Sequence, residues 1–318
     1  MTIFYLVFGN KMEYHLQARF SMMSFRAQMT DKDRIIVVTT CPEYYPSHLA
    51  PSHLASRTSI IPVSDEKIRE WEGKHHFFWR AKIKAMELIA ENYPDDDMLY
   101  LDGDTFLYGD LNKMKDLLKE GHGLMDVDEG HPAQMKGKSL SMWNTVAGHT
   151  YEGITLSKEH HMWTAGVVAI PADKVKKVVS TALNICDGML DDGAEPIVVE
   201  QYSLSIAMYE LTKLREAKSL IAHYWSNKPA WIEKAKDVML QSYLKNLSEE
   251  EELDLIRNLQ LSDTPVYVHK SNTARRLKSL IDKLFKDKNP RYITPRNSYF
   301  NHQPCFQYLS PLGTTSVS

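Results

Sequence analysis

Apolar positions along this chain alternate between two periods. Short runs with little polar interruption, at 2–8, 34–40 and 58–63, read as strands. Between them, apolar residues recur every three or four positions. That spacing predicts a helix over 14–29, with Leu16, Phe20 and Met23 on one face, and another over 78–93, with Trp79, Ile83, Met86 and Tyr93 facing the core. The run Met98-Leu99-Tyr100-Leu101 is a fourth, fully apolar strand. Strands and helices alternating over roughly the first 100 residues predict a mostly parallel, Rossmann-like sheet covered by helices. Further strands are expected over 123–127, 163–171 and 264–269, and helices over 174–186, 198–211 and 248–259. Residues 128–159 are rich in Gly, Ser, His and Lys with little period, and irregular stretches of that length are usually functional or mobile. Residues 46–55 repeat Pro-Ser-His-Leu-Ala twice, too short for a solenoid and best read as a loop insertion.

The chain therefore divides into an α/β domain over 1–270, a helical extension over 271–300 and a tail over 301–318. The extension places Leu277, Leu280, Ile281 and Leu284 on one face of a helix over 273–286. Between Lys270 and Arg296 it carries nine Lys or Arg against two Asp, so its basic face offers a peripheral contact to anionic membrane. The tail is dominated by Pro, Asn, Ser and Thr and is expected to be disordered.

The fourth strand ends in Asp102-Gly103-Asp104. Residues two apart on a strand share a side, so the two carboxylates are expected to converge. They would do so at the C-terminal edge, where open α/β sheets bind ligands. Two hard oxygen donors suit Mn²⁺ or Mg²⁺, whose remaining ligands come from phosphate. The blander reading is a polar strand end that caps the next turn.

Arg80, Lys84, Glu87 and Glu91 lie on one stripe of the helix that feeds this strand. The helix runs antiparallel to the strand, so Arg80 and Lys84 start near the aspartates and are candidates for a diphosphate or a sugar hydroxyl. Farther along, an apolar run leads into His223, and Lys228-Pro229 follows. A neutral imidazole can complete a shell begun by two carboxylates, and a lysine nearby can neutralise phosphate. His131, His149, His160 and His161 share no ligand spacing with a carboxylate and read as loop polar groups.

Bulk properties narrow the partners. A chain of 318 residues and 36.6 kDa suits one large α/β domain, alone or extended. Hydrophobic content of 43% and charged content of 25% are ordinary for a soluble protein. A net charge of −3 supplies no field that selects nucleic acid. Cys41, Cys186 and Cys305 lie far apart, with neither metal spacing nor a disulfide framework, which fits a reducing, cytoplasmic location. The N-terminus reads as a strand rather than a signal peptide. No apolar run approaches the roughly 18–20 residues of a spanning helix, so any membrane contact would be peripheral, at the inner face.

Four segments, in order, resemble the motifs of retaining GT-A glycosyltransferases of family 8, such as bacterial lipopolysaccharide galactosyl- and glucosyltransferases. Asp102 and Asp104 match Asp-x-Asp, and Thr164-Ala165-Gly166-Val167 matches Asn-Ala-Gly-Val. Glu200-Gln201 matches an acidic residue and Gln opening a helix, and 223–231 is similar to His-x-x-Gly-x-x-Lys-Pro-Trp. The His-to-Lys spacing is one shorter, the motif Gly is missing, and Thr164 and Glu200 replace Asn and Asp. The resemblance is thus to a divergent neighbour of that family.

The resemblance implies a GT-A fold and a metal-dependent glycosyltransferase that moves a hexose from a nucleotide-diphosphate sugar, UDP-sugar favoured, to a glycan or lipid-linked acceptor with retention. It implies Asp102, Asp104 and His223 around Mn²⁺ or Mg²⁺, with Gly103 and Lys228 on the donor. It puts Phe8, Gly9 and Asn10 beside the base, and Trp163, Thr164 and Gly166 around the sugar and acceptor. Gln201 falls beneath the anomeric carbon, and Glu200 is the alternative as a covalent nucleophile. Two rival readings stand beside it. Asp102-Gly103-Asp104-Thr105 also resembles the haloacid-dehalogenase phosphatases, with Asp102 as nucleophile, Thr105 one place early and Asp191-Asp192 as the acidic pair. A sugar-nucleotide-binding protein without catalysis is the other.

Overall fold

The computed structural model describes residues 1–45 and 58–268, with Leu277, Leu280, Ile281, Leu284 and Phe285. The repeat at 46–55 and the tail at 301–318 lie outside the described residues, as does most of the extension. Met1–Val268 form one compact unit.

A seven-stranded sheet carries the fold. Its order is Arg215–Glu216, Leu124–Met125, Val167–Ile170, Met98–Leu101, Thr2–Val7, Arg34–Thr39, Thr58–Pro62. Thr2–Val7 pairs in parallel with both Arg34–Thr39 and Met98–Leu101, as the βαβαβ reading requires. Val167–Ile170 runs antiparallel to both of its neighbours. The inner strands are apolar on both faces because both are covered. Ile36, Val38, Tyr100 and Val168 pack into one core with the helices Arg80–Asn92, Val175–Asp191 and Val199–Leu211. Ile35, Val37, Leu99 and Val167 pack into the other with Met12–Arg26 and Lys228–Lys245. A neighbour in sequence thus lies in the opposite core, as the period of two dictates.

Several expectations are corrected. The strand expected over 163–171 is two pieces, Met162–Trp163 and Val167–Ile170, split at Thr164-Ala165-Gly166. The expected strand over 264–269 is absent from its described part, 264–268. There Pro265 instead accepts hydrogen bonds from Asn227 Nδ2 at 2.7 Å and Trp231 Nε1 at 3.1 Å. The stretch over 128–159 is not irregular throughout, since it holds the helix Lys138–Val146. Lys228-Pro229 opens the 18-residue helix Lys228–Lys245. Proline is well suited to a first helical turn, where its missing N–H costs nothing.

Candidate active site

The fourth strand ends at Leu101, and a turn over 102–104 leads into Thr105–Leu107. The two carboxylates converge through that turn, not along a continuous strand. Two pairings then complete the site. Val167 is in register with Leu101, so Asp102 N–H donates to Gly166 O at 2.8 Å. Ile221–His223 pairs antiparallel with Thr105–Leu107, His223 opposite Thr105. One pairing brings Thr164 to Gly166 to the aspartates, and the other brings His223.

Asp102, Asp104 and His223 each offer a ligand atom within 4.8 Å of the others. His223 Nε2 lies 3.9 Å from Asp102 Oδ2 and 3.8 Å from Asp104 Oδ1. An ion about 2.1 Å from each of its donors separates them by about 3 Å (cis) to 4 Å (trans), and the two His223–carboxylate distances lie in the range that Mn²⁺ or Mg²⁺ would span. His223 Nδ1 lies 2.8 Å from Asp126 Oδ2. A proton on Nδ1 would leave Nε2 as a lone-pair donor facing the acids, as ligating histidines are commonly held. Asp104 Oδ2 is buried and makes no hydrogen bond of good geometry, although Lys228 Nζ is 2.8 Å away. Burial disfavours a charged His223 imidazole, but Asp126, Asp104 and Asp102 outweigh it and raise its pKa.

Behind the aspartates sits a cation that the stripe reading missed. Lys82 is buried, 2.9 Å from Glu200 Oε1, 3.7 Å from Asp102 Oδ1 and 3.2 Å from Ala165 O. Its ammonium also lies over the Tyr100 ring, 5.1 Å from the centroid. Burial works against its charge, yet Asp102 and Glu200 prevail and raise its pKa. One ammonium cannot neutralise the buried Glu200 and the half-buried Asp102 equally. Burial pushes Glu200 up despite Lys82, whereas Lys82 and His223 overcome burial and hold Asp102 down. Tyr100 Oη donates to Asp102 Oδ1 at 2.5 Å, from two residues earlier on the same side of the strand.

Two hollows meet at the aspartates. A slot of about 220 Å³ is lined by Phe8, Tyr14, Gln17, Trp79, Tyr100 and Gly103, and shares Asp102, Asp104 and Lys228 with the second. That second cleft, of about 320 Å³, adds Lys82, Glu129, Thr164, Gly166, Gln201, His223 and Trp225. Gln201 Nε2 donates to Glu129 Oε2 at 2.9 Å. Lys228 stands at the positive end of its helix, a place that favours anions.

Other expected site residues fall elsewhere. Arg80 is turned away, bidentate to Asp187 at 2.6 and 2.8 Å, with Trp71 O as a third partner. Lys84 pairs with Glu87 along its own helix. Neither lines the slot or the cleft. The N-terminal end of Arg80–Asn92 meets the site through Lys82 instead: four residues before Met86 and seven before Ile89, it is a charge on the apolar stripe. Gly9 and Asn10 stand outside the slot wall, Gly9 turning at φ +77°. Trp163 lines a separate hollow with His122 and Tyr209. Glu200 lies beyond Lys82, outside the cleft lining. Asp191 and Asp192, which a phosphatase would need near Asp102, pair with Lys74 and His75 and with Tyr151 and His149. His160 and His161 do meet carboxylates, Glu210 at 3.0 Å and Asp128 at 2.8 Å, but in separate pairs.

Among the described residues, no helix is long and apolar enough to cross a membrane. No protein-family model and no curated protein matches this chain. Among solved structures, the crystal structure of galactosyltransferase LgtC in complex with donor and acceptor sugar analogs is similar to it, with a TM-score of 0.46 and 15% identity over 68% of this chain and 73% of that one.

Proposed function

We propose that this protein is a metal-dependent glycosyltransferase of the GT-A type. It takes a hexose from a nucleotide-diphosphate sugar, UDP-sugar favoured, and gives it to a glycan or lipid-linked acceptor with retention. The observation that carries the reading is the convergence of Asp102, Asp104 and His223, within 4.8 Å, where an apolar slot meets a polar cleft. In this reading the aspartates and the imidazole hold Mn²⁺ or Mg²⁺. The ion supplies Lewis-acid stabilisation of charge on the leaving diphosphate. Lys228 adds a point charge to the same phosphates. Phe8, Trp79 and Tyr100 offer the nucleoside an apolar slot. Gln201, held by Glu129, presents its amide oxygen to the sugar in the cleft. Glu200 acts through Lys82, whose charge it shares with Asp102.

Thermal unfolding with UDP, GDP, CDP or TDP, with and without Mn²⁺, tests this directly. One nucleotide should stabilise the protein, and only with metal. Asp104→Asn should abolish that shift while the unliganded protein still unfolds cooperatively. Stabilisation by none of the four would overturn the proposal. The anomeric configuration of the product, read by NMR, tests retention separately.

A further inference from the structure

Trp225 and Tyr267 are 49% and 60% exposed, which is unusual for large aromatic side chains placed together. Their rings meet edge to face, centroids 5.8 Å apart at 66°. The neighbours of Trp225 in sequence behave differently. Tyr224 is buried and stacks on Trp231 at 4.6 Å and 3°, so the core anchors the chain on either side of an outward-facing indole. The Tyr267 segment is pinned as well. Val268 N–H donates to Ser226 Oγ at 3.0 Å, and Pro265 O accepts from Asn227 and Trp231. The two exposed rings are therefore held in place before any ligand arrives. Trp225 also lines the polar cleft, together with Lys228, Thr164, Glu129 and Gln201. It does not line the apolar slot on the other side of the aspartates.

We infer that Trp225, walled by Tyr267, is the platform on which the acceptor docks, and that the acceptor presents a hexopyranose ring. The inference rests on the transferase reading and names one side of its substrate. A pyranose has polar edges and a face of C–H bonds. That face packs on the electron-rich face of an indole, while its hydroxyls reach polar groups such as Glu129 and Thr164. The slot already suits a nucleoside, and a donor sugar tethered through its diphosphate would enter the cleft at the aspartates, where buried Lys82 lies 3.7 Å from Asp102 Oδ1. The exposed outer wall is left for the second sugar.

The test is saturation-transfer NMR with methyl glucosides, galactosides and mannosides on protein loaded with Mg²⁺ and the nucleoside diphosphate that stabilises it. Loading of each variant is checked by its own thermal shift. At least one hexoside should receive saturation on its ring C–H protons. Trp225→Ala should lower that signal several-fold, and Tyr267→Ala should lower it less. Both side chains are exposed, so neither variant should unfold the protein. No saturation of any hexoside, or equal saturation in wild type and both variants, overturns the platform and leaves the donor reading standing. A Trp225→Ala protein that loses only the extra stabilisation a nucleotide sugar gives over the bare nucleotide puts the donor sugar there and overturns the acceptor assignment. Absence of any metal-dependent nucleotide shift in the wild type removes the donor reading itself, before a hexoside is added.

Discussion

A methyl group on residue 166 would stand 2.1 Å from His223 Cε1 and 2.6 Å from its Nδ1, well inside contact distance. Gly166 is thus the floor against which the imidazole lies, and the same residue accepts the Asp102 amide. The resemblance suggested a sugar-pocket role for it. Its packing suggests a second, as the residue that leaves room for a metal ligand. Gly166→Ala should drive the ring from its place, abolish the Mn²⁺-dependent nucleotide shift and cost about 1–3 kcal/mol of stability from overpacking. Isothermal titration with Mn²⁺ checks the first effect and denaturant unfolding the second. An unchanged Mn²⁺ affinity would mean that His223 does not bind the ion from this position. Sequence alone could give Gly166 a reason to be small, but not the identity of its neighbour, which comes from 57 positions farther along the chain.

Helices and strands, rather than single residues, decide which charges face the cleft. Arg80–Asn92 and Val199–Leu211 are joined by the Lys82–Glu200 pair, both partners buried. Lys82→Met should leave Glu200 and Asp102 without their shared cation and destabilise the protein by about 3–5 kcal/mol. Lys82→Met/Glu200→Gln should recover much of that loss in urea unfolding. Purely additive effects would show that the pair is not coupled. The amphipathic stripe located this helix well, yet it sorted charged residues to solvent by default. Lys82 sits among Ala81, Ile83, Ala85 and Met86, and it is the carboxylates brought to it by other elements, Glu200 and Asp102, that make its burial tolerable. Likewise, the antiparallel run of Val167–Ile170 was invisible in an apolar pattern that reads the same in either direction.

Across the whole molecule, polar ties hold the covering helices to the sheet. Asp33, just before Arg34–Thr39, is buried and accepts from Lys115 on the helix Leu111–Lys119 at 2.5 Å, and from Thr30 N and Oγ1 at 2.8 and 2.9 Å. Burial disfavours its charge, but the bonds from Lys115 and Thr30 prevail and hold its pKa below 3.8. A depressed folded value means that the stabilisation is complete above the unfolded pKa and lost as pH falls through the folded one. Asp33→Asn should therefore lower Tm at neutral pH, by a loss of about 1–3 kcal/mol, and flatten the fall of Tm below pH 3.8. Parallel acid limbs in the two proteins would remove Asp33 from the acid response.

The sequence by itself determined the unbroken apolar strands, the helices between them, the two-sided core and an acidic pair at the end of the fourth strand. These are local: burial on both faces demands unbroken apolar runs, and a run ends where polar residues begin. His223 was a candidate partner of Asp102 and Asp104 from its motif, but tertiary structure alone decided the pairing that brings it to them, that Asp126 orients it, and that Lys82 rather than Arg80 or Lys84 stands behind them. Those choices depend on which strands pair and in what register. Pairing is set by the packing of segments far apart in the chain, and a periodicity records that a face is buried without recording against what.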